Sequence, residues 1–144
     1  MDMEDKYNLQ RFLSAQGENI EGVLQELRRG QKRGHWMWYM FPQIKCLGHS
    51  STSEYYAIQS ASEATAYLQH PVLGSRLVAC TNTVNEHQDL TAEQIFGYPD
   101  YLKFRSSMTL FNIVAGNDSP FSHALDRFFE GEPDKRTLSI LESL

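Results

Sequence analysis

The sequence predicts an all-α protein: a single compact multi-helix domain of about seven to nine helices with little or no strand. Three observations carry that expectation. Apolar residues recur at helical spacing along most of the chain, helix-start signals precede those stripes, and period-two alternation over a strand's length is nearly absent. The 144 residues suit one domain with one core, and no repeat, low-complexity tract or Gly/Ser linker divides them. The domain is therefore expected to span 1–144.

The elements follow in order. A first helix is expected over 5–15 and a second over 19–29, where Ile20, Val23, Leu24 and Leu27 share a face ahead of Gly30. Helices over 52–59 and 61–69 follow Ser51-x-x-Glu54 and Ser60-x-x-Glu63. Both match the capping box, in which a hydroxyl and an acid satisfy helix-start N–H groups reciprocally. A longer helix over 71–88 sets Leu73, Leu77, Cys80 and Val84 on one side, and Thr91-x-x-Gln94 opens a short one over 92–96. Pro71, Pro99 and Pro120 each suit a first turn, where the missing N–H costs nothing; the last two start helices over 99–115 and 120–130. Phe121, Ala124, Leu125 and Phe128 form the cleanest stripe and should be buried. Gly116 and Gly131 suit helix stops, and Asp134 precedes a last helix over 135–143 with Leu138 and Leu141 apolar.

Residues 35–43, HWMWYMFPQ, sit uneasily in that scheme. On a helix their rings would point all around the axis, so the segment must be buried on every side or must line a cavity. Gly34 in front and Pro42 behind limit any helix there to about two turns. Two readings stay open. The stretch is a core segment wrapped by other helices, or it is one wall of a pocket whose indole and imidazole rings stack on a planar ligand.

Composition narrows the function classes. With 41% hydrophobic and 22% charged residues the chain is ordinary for a globular protein, which excludes extended disorder. A formal net charge of −5 argues against nucleic acid and anionic membranes as partners. No apolar run approaches a membrane span, and MDMEDKYNLQ is acidic where a signal peptide is basic, so a cytoplasmic protein is expected. Cys46 and Cys80 lie far apart with no C-x-x-C and read as buried free thiols. His35, His49, His70, His87 and His123 show no ligand spacing, so neither a metal nor a cofactor is expected. Walker, Rossmann and G-x-S-x-G patterns are absent, and no catalytic residue is assigned.

Five stretches resemble one family. GHWMWYMFPQ, LGHSSTSEYYAI, AYLQHPVLGSRL, IFGYPDYLKFRSSMTLF and ALDRFF-x-G-x-x-D-x-x-TL are similar to the motifs of the domain-of-unknown-function family numbered 1810, over about residues 9–141. The resemblance implies a compact, all-helical fold and no established activity. Members often carry the label calpastatin, but calpain inhibitors of that name are disordered and rich in Pro and Lys, unlike this chain, so calpain inhibition is rejected. Members usually have Gly where this chain has Cys46, which places a difference in the turn before Leu47. A weaker resemblance links the order of LGSRL, a lysine-bearing helix with Met and Phe, LDRFF and D-x-x-T to the NADAR (YbiA-like) domains, helical proteins associated with ADP-ribose-type N-glycosides. No catalytic residue transfers from it.

Candidate polar contacts come from three places. Asp100, Lys103 and Ser107 fall on one stripe of the 99–115 helix, which continues as Leu110 and Val114; a polar line running into an apolar one reaches toward an enclosed space. The competing account has Lys103 paired with Asp100 at the helix start and Ser107 bonded to a carbonyl one turn back. Ser106 and Thr109 lie on the adjoining face and need partners, which the preceding turn can supply. His49, Ser50 and Ser53 follow Gly48 into a helix start, a weak anion signal. Arg28, Arg29, Lys32, Arg33 and His35 form the one basic cluster, where two arginines suit a helix C-terminus.

Two functions from different classes therefore stand. One is a site that binds, with or without hydrolysing, a small planar anionic ligand such as a nucleotide or ADP-ribose derivative. Its candidate residues are His35, Trp36, Trp38, Gln43, His49, Lys103, Ser106 and Ser107. The other is a non-enzymatic protein-interaction module in which HWMWYMFPQ is core only. The oligomeric state is open. The pocket reading requires HWMWYMFPQ and the Lys103–Ser107 turn to meet across a cavity.

Overall fold

The structure is a computed structural model that describes residues 5–116 and 118–144. Among the described residues there are ten helices and no strand: α1 Gln10–Gln16, α2 Ile20–Arg29, α3 Met37–Met40, α4 Ser51–Tyr56, α5 Ala61–Gln69, α6 Leu73–Asn85, α7 Ala92–Phe96, α8 Asp100–Ala115, α9 Pro120–Phe129 and α10 Lys135–Ser143. The all-α expectation holds. The tenth helix is the single turn α3, inside the aromatic stretch.

Side-chain caps set the boundaries, and they correct several expected ones. The Asp5 carboxylate accepts the N–H groups of Leu9 and Gln10 at 2.7 and 2.8 Å, so residues 5–9 form a capped turn and α1 starts at Gln10. Ser50, not Ser51, caps α4 by accepting the Ser53 N–H at 3.0 Å. Thr91 and Gln94 form the full capping box. Ser60 accepts from the Glu63 N–H, but the Glu63 carboxylate is engaged elsewhere. His70 opens α6 with its ring, Nδ1 accepting from Val72 and Leu73 at 3.1 and 3.2 Å. Ser119 and Ser122 make a reciprocal box ahead of Pro120 that the S-x-x-E/Q pattern does not reveal.

The expected helix over 52–59 ends at Tyr56 because the next residues are needed in another conformation. Ile58 is fully buried and pairs in parallel with Ile44. Its N–H donates to the Gln43 carbonyl at 2.8 Å and its carbonyl accepts the Lys45 N–H at 2.9 Å. The chain after the aromatic stretch is thereby joined to the chain after α4.

Helix α8 is the central element and packs against α5, α7, α9 and α10. Phe104, Met108, Leu110 and Phe111 are buried on it, together with Ser107 and Thr109. Leu73, Leu77, Cys80 and Val84 of α6 are all fully buried, as their stripe predicts. Phe121, Ala124 and Leu125 are buried too, but Phe128 is only partly so. Its ring meets Phe104 edge-on at 6.3 Å while the Arg127 guanidinium covers it from outside. Burial pushes the Cys80 thiol up to about 12 despite nearby Arg76. Cys46, expected to be buried, is exposed.

One buried ion pair joins the two halves of this arrangement. The Arg11 guanidinium meets Glu63 at 2.7 Å, the two side chains being 6% and 2% exposed. It also donates to the carbonyls of Tyr7, Asn8, Tyr55 and Ala57. The other Glu63 oxygen accepts the Gln59 N–H at 2.9 Å. A charge pair this enclosed is tolerated because nearly every donor and acceptor is used. Replacing Arg11 with Met should therefore destabilise the protein by about 3–5 kcal/mol, since it leaves a buried carboxylate unpaired. Urea denaturation checks this, and Glu63→Gln on top of Arg11→Met should restore part of the loss.

Candidate functional site

The aromatic stretch is two-faced. Trp36, Met37, Met40, Phe41 and Pro42 are buried, whereas Trp38, Tyr39 and Gln43 are half-buried and His35 is exposed. Phe41 enters the core edge-on to Phe96 and Phe104, at 5.8 and 5.1 Å between centroids. The residues on the other side face an indentation. The stretch is thus divided, part of it core and part of it bordering surface depressions.

Trp38, Gln43, Gly48, His49, Tyr56 and Gln59 line a first depression of about 360 Å³. The Ile44–Ile58 pairing behind it brings the segment after α3 against the segment after α4. Gly48 matters here, because a Cβ on it would lie 2.6 Å from the Ser53 hydroxyl and prevent the loop from closing on α4. A second depression of about 330 Å³ shares Gln43, Gly48 and Ser53 with the first and adds Lys103, Ser106, Asp134 and Arg136. Volumes of this size fall within the range of roughly 300–1,000 Å³ of small-molecule sites. The aromatic stretch and the α8 turn do meet.

Gln43 stands at the junction, half-buried, and no hydrogen bond from a described residue engages its amide. Lys103 Nζ lies 5.0 Å from the centre of the Trp38 ring, a cation–π distance, and 3.4 Å from Asp100 Oδ1. The Trp38 indole N–H is buried without a partner among the described residues. Burial, with Tyr55 adjacent, holds the Tyr56 hydroxyl above its ordinary value, so it is a neutral donor at any ordinary pH. Among the described residues no group of His, Cys, Asp and Glu is arranged to hold a metal ion, and no helix is long and apolar enough to cross a membrane.

The other expected site residues go elsewhere. Trp36 is 4% exposed, and its indole N–H donates to Glu26 at 2.9 Å. With His35 it borders a separate, smaller depression beside Glu26. Ser107 is fully buried on α8, lines neither depression, and its hydroxyl lacks the expected bond to a carbonyl. Ser106 and Thr109 do bond back, to the carbonyls of Leu102 and Arg105. In the basic cluster Lys32 is enclosed, pairing with Asp100 at 2.7 Å and lying 5.1 Å over the Trp36 ring; Arg28, Arg29 and Arg33 remain exposed. The hydroxyl of Ser50 takes the N–H of Ser53, the third residue of α4, so that donor is not offered to a ligand. Lys45, Cys46, Tyr56, Gln59 and Arg136 line the cleft without any local sequence signal.

Glu26 fixes the approach to the aromatic stretch. Burial works against its ionisation, but N–H groups of Arg33, Gly34 and the Trp36 indole, with Lys32 nearby, outweigh it and hold the carboxyl below its usual value. A folded-state value that is depressed adds stability above the unfolded carboxyl range and loses it as pH falls through the folded value. The stability advantage over a Glu26→Gln variant should be constant from about pH 6 to 8 and shrink below about pH 4.5. Urea midpoints across that range test it.

Cys46 adopts φ 73, the left-handed region, at the position where the family resemblance leads one to expect glycine. Cys46→Gly should raise stability by about 0.5–1 kcal/mol, the left-handed penalty less the entropy a glycine loses on folding. Thermal denaturation of the two chains measures the difference.

A family model described as "Protein of unknown function (DUF1810)" matches residues 6–141, and the chain belongs to that family. It is similar to the conserved hypothetical protein Rv1873 from Mycobacterium tuberculosis, known from a crystal structure. The two are 46% identical, the match covers 96% of this chain and 99% of that one, and the TM-score is 0.94. Among curated proteins nothing matches the chain.

Proposed function

We propose that this protein binds a small planar ligand carrying an anionic group across the two depressions that meet at Gln43, one bordered by Trp38 and the other by Lys103. The observation that carries this is the free, half-buried Gln43 amide at the junction of two depressions, one walled by aromatic rings and the other holding Lys103 and Arg136. An amide with two donors and an acceptor, left unpaired in a concave site, suits the polar edge of a heterocycle. Trp38, Gln43, His49, Lys103 and Ser106 are the contacts retained from the sequence, whereas Trp36 and Ser107 are buried and His35 borders a separate depression.

Binding is favoured over hydrolysis. His49 is exposed and makes no hydrogen bond to an acid among the described residues, so it lacks the orienting partner of a general base. Nucleotides and ADP-ribose derivatives are the classes to test, the latter through the resemblance to NADAR domains. The free thiols of Cys46 and Cys80 are in keeping with a cytoplasmic setting.

A melting screen against nucleosides, nucleotides and ADP-ribose derivatives tests the proposal. A ligand present at 100 times its Kd should raise the melting temperature by roughly 5–10 °C for a domain of this size. Trp38→Phe should diminish the shift. If no such compound moves the transition, the protein is an interaction module and the cleft is a surface irregularity.

A further inference from the structure

Asp100 serves two lysines unequally. Its Oδ2 meets Lys32 Nζ at 2.7 Å, and that side chain is 7% exposed; its Oδ1 is 3.4 Å from Lys103 Nζ, whose side chain is 26% exposed. Lys32 is further fixed by donating to the Gly34 carbonyl and by lying over Trp36. Among the described residues Lys103 has only the long contact to Asp100 and the face of Trp38. Of the two ammonium groups, Lys103 is the one free to change partners.

The second depression is where it would do so. Arg136 borders it, donating to the Cys46 carbonyl at 3.2 Å through one of its five N–H groups. The Asp134 carboxylate also borders it, but its Oδ2 is committed to the Thr137 N–H and hydroxyl at the start of α10. Ser106 donates to Leu102 and keeps lone pairs for a donor. Two cations beside one committed carboxylate match a phosphate monoester, whose charge is about −1.5 to −2 at neutral pH.

We infer, resting on the cleft reading above, that the ligand is of the nucleoside monophosphate class: its ring lies toward Trp38 and Gln43 and its phosphate on Lys103 and Arg136. Asp100 is the built-in competitor for Lys103. Phosphate binding shifts the Lys103 ammonium from Asp100 to the ligand, and Asp100 keeps its stronger bond to Lys32. No covalent step is involved.

Calorimetric titration of the full chain with the four common ribonucleosides and their 5′-monophosphates tests this. For the base that fits, the monophosphate should bind on the order of tenfold more tightly than its nucleoside, a charge-assisted contact's worth. That ratio should fall to about one in Lys103→Met and in Arg136→Gln and should rise in Asp100→Asn. A retained helical circular dichroism spectrum and a cooperative urea transition report that each variant is folded. Nucleosides binding with no gain from phosphate, or a gain that survives both cation substitutions, overturns the phosphate assignment and leaves the cleft reading intact. A ratio unchanged or lowered in Asp100→Asn overturns the competitor role. If none of the eight compounds binds while another planar anion shifts the melting transition, the nucleotide class is wrong; if nothing binds at all, both readings fall.

Discussion

The buried Arg11 guanidinium is the constraint on which the cleft depends. It holds the carbonyls of Tyr55 and Ala57 and the carboxylate of Glu63, one point in α4, one just after it and one in α5. The chain must leave the helical conformation after Tyr56 so that Ile58 can pair with Gln43 and Lys45. The pairing sets Tyr56 and Gln59 opposite Trp38 and Gln43. Helix α1, which makes no wall of the cleft, thus determines its width from behind.

The two tryptophans show how one short segment is divided between stability and a surface. Trp36 and Trp38 are two residues apart, and each has a lysine ammonium over its ring. Trp36 is anchored by Glu26 and enclosed; Trp38 is left half-buried with an N–H unpaired among the described residues. Asp100 links the two lysines, so the loop before α3 and the start of α8 are tied electrostatically. In the second depression Lys103 and Arg136 stand beside the Asp134 carboxylate, whose Oδ2 is bonded at the start of α10.

Much of the fold is written locally and was legible. Leu73, Leu77, Cys80 and Val84 follow the 3.6-residue period and are all buried, and the Thr91 box forms as its spacing requires. Where a cap was misplaced, a neighbouring residue of the same chemistry competed for the role, as Ser50 did with Ser51. Burial of Phe128 failed at a helix end, where the stripe runs past the surface it packs on. The site was half legible. Gln43 lines one depression with Trp38 and the other with Lys103, so the aromatic stretch and the α8 turn lie together, as the mixture of polar and apolar residues implied. Arg11 and Glu63, 52 positions apart, carry no mutual mark in the sequence, and neither do Trp36 and Glu26. Periodicity records which side of a helix is inside, but not which distant partner a buried charge will meet.

The contrast between the two thiols has a practical use. Cys80 is enclosed in α6 with its proton held tightly, and Cys46 is open at the rim of the first depression. A maleimide dye will therefore attach at one place in the native chain, beside Trp38 and His49, with no cysteine having to be added or removed. The protein comes with its own attachment point for a fluorescent reporter, positioned to register whatever enters the cleft.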